Sequence, residues 1–322
     1  MSQYKHLSYE EQLELFKKRG ISFDEKYYEK SLKDVSTIGY YQLKNYSYPF
    51  YDIENKKYNS VSFKDIIERY YHDKRFKSAV LHIIEDIEVT LNTRIAYLLG
   101  DKYGPFGYLN FKLWCQQEGK NKYLKHIKNI DMYVLIKEQN KFCQLILSKG
   151  LKSASKDVRQ YNVNHSNTQP YLPIWLLMNE LTLGESIYLF KLMNKTNKKI
   201  ISETFNCTID ELVSWLECIN LVRNICCHNG NLIDLTLKTT PKIPEDFKKY
   251  IYRYQDKNNA RQFSNKIALV ICILLRLMKE INEKYSFKEL KNSLNKLLPD
   301  TDSLRTFGFD NLKSVNEFFE SL

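Results

Sequence analysis

Apolar residues recur at spacings of three and four along most of the chain, and nothing alternates with period two over a useful length. The pattern predicts an all-α protein. A long helix is expected over 75–99, where Val80, Ile83, Ile84, Ile87, Leu91, Ile95 and Leu98 share one face and Gly100 closes it. Ser8-Tyr9-Glu10-Glu11 is a capping box opening an earlier helix that ends at Gly20. Helices over 24–34, 37–46 and 62–71 are also expected, the last capped by Ser62, and 48–59 is a tyrosine-rich connection with room for a short hairpin. Past a loop punctuated by Gly104, Pro105 and Gly107, helices are expected over 122–147, 173–181 and 184–193. Residues 153–169 are polar and aperiodic, and read as a long loop inside a helical domain.

The next apolar run carries the candidate chemistry. Thr208-Ile209-Asp210-Glu211 is a capping box, and Asn229-Gly230 is a helix stop, because both residues tolerate the left-handed conformation. Between them Leu212, Trp215, Leu216, Ile219, Val222 and Cys226 form the apolar stripe of a helix over 208–228. Arg223 interrupts that stripe, falling within about 20° of Leu212 at 100° per residue. An arginine facing a core is costly unless paired, so Arg223 is expected to be partly desolvated and ion-paired. Asn224 and His228, four residues apart, share a different face, and His228 sits in the last turn, where the helix dipole favours a cation. A fixed cation, an amide and a titratable base at one helix end suit work on a phosphodiester. The plainer reading is a C-terminal cap beside one half of a structural ion pair.

Composition adds a partner class. The 322 residues carry a net charge of +11 and 24 tyrosines, a surface suited to a polyanion whose phosphates meet lysine and arginine and whose bases meet aromatic rings. Lys156, Arg159, Tyr161 and His165 in the polar 153–169 stretch are candidate RNA contacts. The seven cysteines are odd in number and include no Cys-x-x-Cys pair, and there is no signal peptide, so a reducing cytoplasm is expected. No run reaches membrane-spanning length; 267–275, bounded by Lys266 and Arg276, reads as a core helix. Neither metal spacing, a nucleotide-binding glycine loop nor a helix-turn-helix is found, so no cofactor or metal is expected. The Pro/Thr/Lys-rich 236–244 stretch is the best candidate boundary. It divides the chain into an N-terminal helical segment (1–60), a helical core (61–235) and a C-terminal helical extension (236–322). Helices in the extension are expected over 244–256, 259–285, 286–297 (with Ser286-Phe287-Lys288-Glu289 as a capping box) and 310–321.

Arg223-Asn224-Ile225-Cys226-Cys227-His228 resembles the Arg-Asn-x-x-x-His signature of HEPN ribonucleases. Its setting, from Ser214-Trp215-Leu216 to His228-Asn229, resembles the AbiD/AbiF-like abortive-infection family of bacterial phage-defence proteins. So do Leu7-Ser8-Tyr9-Glu10-Glu11-Gln12-Leu13 with Arg19-Gly20-Ile21, and Ile38-Gly39-Tyr40-Tyr41-Gln42-Leu43 with Tyr46 and Pro49-Phe50. Ser62-Phe63 through Asp73, Arg75 and Glu88 to Arg94 follows the same family, as does Leu172-Pro173-Ile174-Trp175 with Glu180 and Leu183-Gly184. The resemblance covers roughly residues 7–232, departing where Leu183 replaces an aromatic and Cys227 fills a variable slot.

The resemblance implies a HEPN-like helical bundle with additional N- and C-terminal helices, and a metal-independent endoribonuclease toxin with Arg223, Asn224 and His228 in its site. It also implies that two motifs face one another across a shared cleft. The chain has one good copy, so a homodimer is expected; Arg75 and His82 fit a looser spacing but lack the asparagine and read as an ordinary surface pair. Glu88, Glu180 and Arg94 recur in the resembling segments and are candidate site supports, able to pair with Arg223 or line the cleft. Asn224 is expected to orient the site. The competing expectation is a non-catalytic RNA-binding or partner-binding module, held by a small noncoding RNA or an antitoxin.

Overall fold

A computed structural model describes residues 6–165, 168–256, 259–298, 301–311 and 317–319. In chain order the first helices are α1 (Tyr9–Lys18), α2 (Tyr28–Ile38), α3 (Tyr40–Ser47) and α4 (Phe63–Tyr103). Ser8 and Ser62 cap α1 and α4 with full capping boxes, the second closed by Asp65. Gly39, at φ +91°, separates α2 from α3 later than the sequence suggested. A short hairpin, β1 (Tyr51–Asp52) with β2 (Lys57–Tyr58), fills the tyrosine-rich connection.

The largest departure is α4, one unbroken helix of 41 residues where two were expected. The expected break lies at the polar stretch around Asp73, but Asp73 and Lys77 are buried and paired at 3.0 Å, so the inward face continues through them. Gly100 is interior rather than terminal: a Cβ there would sit 3.4 Å from the Ile174 side chain, and the helix ends instead at Gly104, at φ +76°.

After α5 (Phe111–Trp114), α6 (Met132–Lys152) starts from its Asp131 cap, ten residues later than expected, because 122–131 forms turns. Residues 156–165, expected as loop, form α7 (Lys156–His165). Its side chains hold it in place, Asn162 Nδ2 donating to Gly150 O at 2.9 Å and the Tyr161 hydroxyl to Tyr171 O at 3.2 Å. Only Val158 of α7 is buried, too little apolar signal to read. Then come α8 (Ile174–Leu177), α9 (Leu183–Leu192), the unanticipated α10 (Lys195–Thr204) and α11 (Ile209–Cys227). Thr182 and Thr208 cap α9 and α11 with complete capping boxes.

The C-terminal part adds α12 (Ile267–Ile281), α13 (Lys288–Asn295) and α14 (Thr301–Phe307). α12 is almost wholly buried and packs on α4 and α11, so these three helices share one core. The 236–244 segment is strapped along α11: Trp215 Nε1 donates to Lys242 O at 2.7 Å and Lys242 N to Ser214 Oγ at 2.7 Å. Two expected helical stretches are replaced by a 3₁₀ turn (Glu245–Tyr250) and a hairpin of β3 (Arg253–Gln255) with β4 (Arg261–Phe263). The hairpin turn is closed by Ala260 N donating to Asp256 Oδ1 at 3.0 Å. Ser286 does not cap α13, whose N-cap is Phe287 without a side-chain bond. The helix expected over 310–321 falls mostly outside the described residues. Among the described residues the only strands are these two antiparallel pairs, and the fold is all-α. No described helix is long and apolar enough to cross a membrane.

Candidate functional site

The C-terminal turn of α11 runs past the core that buries its earlier turns. Leu212, Trp215, Leu216, Ile219 and Val222 are buried, whereas Asn224, Cys227 and His228 are exposed and Arg223 is half-buried. His228 is the C-cap, with φ −93° and ψ 16°, its N–H donating to Asn224 O at 3.0 Å. Among the described residues no side-chain hydrogen bond or ion pair engages the Arg223 guanidinium, the Asn224 amide or the His228 ring. Arg223 therefore departs from its expected pairing: it lies on the apolar side of the helix, but so near the end that solvent reaches it. Its charge acts on Glu88 of α4. Burial pushes the Glu88 carboxyl up, while the Arg223 charge and the Leu183 N–H at the start of α9 draw it back down. Glu88 is thus the one candidate support that the structure brings to the motif.

What fixes His228 comes from elsewhere in the chain. Asn229 adopts φ +54°; Gly230 N donates to Ile225 O at 2.7 Å and Asn229 N to Cys226 O at 3.2 Å, the two bonds of a Schellman stop. A Cβ on Gly230 would lie 3.0 Å from Ile225 Cγ2, so a larger residue crowds the turn. Lys77 Nζ reaches this turn from α4, donating to Asn229 Oδ1 at 3.0 Å and Gly230 O at 2.8 Å. Its partner Asp73 also accepts from the Tyr46 hydroxyl at 2.6 Å, Leu232 N at 3.2 Å and Ile233 N at 3.1 Å. Burial pushes the Asp73 carboxyl up, and the Tyr46 hydroxyl and Lys77 pull it back; Tyr46 is itself driven up by burial and by Asp73. Gln42 Nε2 donates to Asn229 O, and Arg69 pairs with Asp234 just beyond. Helices α3 and α4 together clamp the residues that follow the motif.

The family of Abi-like proteins matches residues 33–234, from α2 to the last clamped residue. The chain belongs to the Abi-like family. That membership ties it to abortive infection, a form of phage defence. No curated protein and no solved structure is detectably similar. The match takes in α4, α11 and the clamp of this Abi-like protein. It begins after α1, which the sequence resemblance had included, and stops before the C-terminal helices.

The other candidate residues of the Abi-like chain are used elsewhere. Arg94 lies over the Phe205 ring at 4.1 Å and donates to Thr204 O at 2.9 Å and Glu280 O at 3.3 Å, tying α4 to the ends of α10 and α12. Glu180 accepts from Ser153 Oγ at 2.9 Å, and its carbonyl from Lys149 at 3.1 Å, which secures the α6–α7 junction. Neither pairs with Arg223. Lys156, Arg159, Tyr161 and His165 sit on a helix rather than a loop. The Tyr161 and His165 rings stack at 4.4 Å, Arg159 Nη2 donates to Ala154 O at 2.9 Å, and Lys156, Arg159 and His165 are exposed. Cys226 is a buried thiol pushed up to about 12 by burial, and no cysteine is disulfide-bonded. No group of three His, Cys, Asp or Glu among the described residues is placed to hold a metal ion.

Sequence reasoning missed Lys77 and gave Tyr46 and Asp73 no role. A signal existed: Asp73 and Lys77 are four apart on the face carrying Ile66, Tyr70, Val80 and Ile84, all buried, where a lone charge would be costly and a pair is tolerable.

Proposed function

We propose that this Abi-like protein is an endoribonuclease of the HEPN type that acts in abortive infection, cutting RNA by acid–base chemistry at Arg223 and His228. The observation that carries the reading is the open state of these side chains on a turn clamped by hydrogen bonds: a half-buried guanidinium and an exposed imidazole with no side-chain partner among the described residues. RNA supplies its own nucleophile, so no metal need generate one. His228 takes the proton of the ribose 2′-OH, and the 2′-oxygen attacks the adjacent phosphorus. Arg223 neutralises the charge that builds on the non-bridging oxygens, and the 5′-oxygen leaves with a proton from a second acid. The products are a 2′,3′-cyclic phosphate and a 5′-hydroxyl. Asn224, one turn before His228, orients substrate or partner by its amide.

The second acid is assigned to the partner of a homodimer. Arg223 and His228 of one chain lie about 140° apart around the helix and about 7.5 Å apart along it, so two copies close a site better than one. Exposed apolar residues on the two helices support such an interface: Leu221 is 44% exposed on the His228 face of α11, and Val89, which follows Glu88 in α4, 64%.

The test is cleavage of mixed RNA by purified protein in EDTA with analysis of the ends. Cyclic phosphate and 5′-hydroxyl ends, absent with His228→Ala, are expected. Activity that disappears with chelator and returns with Mg²⁺ overturns the metal-independent mechanism. Light scattering that finds only the 38.4 kDa monomer, with cleavage intact, overturns the composite site. Wild-type protein that binds RNA tightly but never cuts it would instead mark a binding module.

A further inference from the structure

Helix α4 carries a second polar cluster on the face roughly opposite Asp73 and Lys77, at about 100° per residue. A cleft of about 540 Å³ opens there between α4 and α13. His72, Arg75 and His82 enter it from α4 and Lys296 from the end of α13, against one lining carboxylate, Glu289. Tyr285 and Phe287 form an aromatic wall, their ring centroids 4.9 Å apart, and the Tyr285 hydroxyl lies 2.8 Å from His82 Nδ1. Arg75 and His82, an ordinary surface pair by sequence, thus face the same cavity.

Here Arg75, Lys296 and His72 make no side-chain hydrogen bond or ion pair among the described residues, although Glu68 lies close enough to His72 to act on its charge. Burial and then Arg75 hold His72 below the usual histidine range, with Glu68 opposing and Lys296 adding to the effect. Arg75 and Lys296 line one cleft with a single carboxylate, so an anion seated there would offset their charge. The aromatic wall adds a surface on which a base can stack, and the volume lies within the range of small-molecule sites.

We propose that the α4–α13 cleft binds a phosphate-bearing nucleotide, with Arg75 and Lys296 holding the phosphate and Tyr285 and Phe287 bordering the base. The shared chemistry is a nucleoside phosphate, either free or at the phosphorylated end of an RNA. This site is built from residues other than those of α11, and its occupancy does not depend on cleavage.

The test is calorimetric titration of the full chain with adenosine and uridine 5′-monophosphates. A short RNA with and without a 5′-phosphate is titrated in parallel, on His228→Ala protein so that it stays intact. Arg75→Ala and Lys296→Ala, both at exposed positions, are compared with the parent protein after thermal melting shows that they fold. Binding of the free nucleotides that weakens tenfold or more in each variant supports the site and names a mononucleotide. The same loss seen only with 5′-phosphorylated RNA supports the site and names an RNA end. Equal affinity for phosphorylated and unphosphorylated ligands, binding indifferent to both substitutions, or no binding in any arm overturns the proposal. Phe287→Ala should weaken the nucleotides but leave the weak binding of inorganic phosphate unchanged.

Discussion

Two polar pairs at the end of α11 are arranged in opposite ways. Lys77 and Asp73 are 4% and 0% exposed, and between them they engage two carbonyl-type oxygens of the turn, two backbone N–H groups and a tyrosine hydroxyl. Arg223 and His228, a few residues away, are open and engage no side-chain partner among the described residues. A buried polar group must be satisfied to be tolerated, so the first pair holds structure. A polar group left open on a backbone held by hydrogen bonds is free to meet a substrate without first breaking its own bonds. The contrast separates what keeps the turn in place from what the turn presents.

The sharpest way to break the comparison is to remove one member of the clamp. Asp73→Ala leaves Lys77, two backbone N–H groups and the Tyr46 hydroxyl without their shared acceptor, and should cost about 3–5 kcal/mol. Urea unfolding measures it. The double replacement Asp73→Leu with Lys77→Met should recover much of that loss, because no buried charge is then stranded. If Asp73→Ala costs less than about 1 kcal/mol, the buried pair does not hold the turn.

Next in size is a split between activity and stability at the open pair. His228→Ala should lower RNA cleavage by about 10²–10⁴-fold. Its stability should change by only about 1 kcal/mol or less, since the cap's bond is made by backbone and not by the ring. Arg223→Ala should also fold, because no ion pair is broken. Arg223→Lys should cut poorly, having charge without the planar fork. Full activity in His228→Ala, or unfolding of either Arg223 variant, reverses the assignment of roles.

These regions also differ in how far the sequence reveals them. The capping box at Thr208, the stripe and the Asn229-Gly230 stop act within a few residues of one another, so α11 and its ends could be read directly. The spacing puts Arg223 on the apolar side of α11, but its exposure depends on where the core ends, which no local spacing encodes. The clamp was hidden because Lys77 meets residues more than 150 positions away, and a buried pair there resembles a polar break in the helix. α7 carries little apolar signal because it buries little, and α10 because its buried face includes Asn197, Lys198 and Ser202 beside Ile201. The hairpin of β3 and β4 was read as helix because it is held by tertiary pairing, such as Tyr252 N to Gly308 O at 2.8 Å, rather than by alternation.

The smallest expected effect sharpens the comparison at Glu88, which stands between the closed and open groups. Burial raises its folded-state pKa, and Arg223 offsets part of that rise. The folded chain therefore holds the Glu88 proton to higher pH than the unfolded chain does. The stabilisation is fully present below the unfolded value and is lost as pH rises through the folded one, because in that window the folded state binds more protons. Stability measured by urea unfolding across the acidic range should then fall more steeply with pH in the parent protein than in Glu88→Gln, which has no proton to lose. Arg223→Ala removes the charge that holds the shift down, so its window should extend to higher pH. If Glu88→Gln and the parent follow parallel curves, Glu88 titrates as a solvated surface acid. The link from α4 to Arg223 would then be one of proximity without energetic consequence.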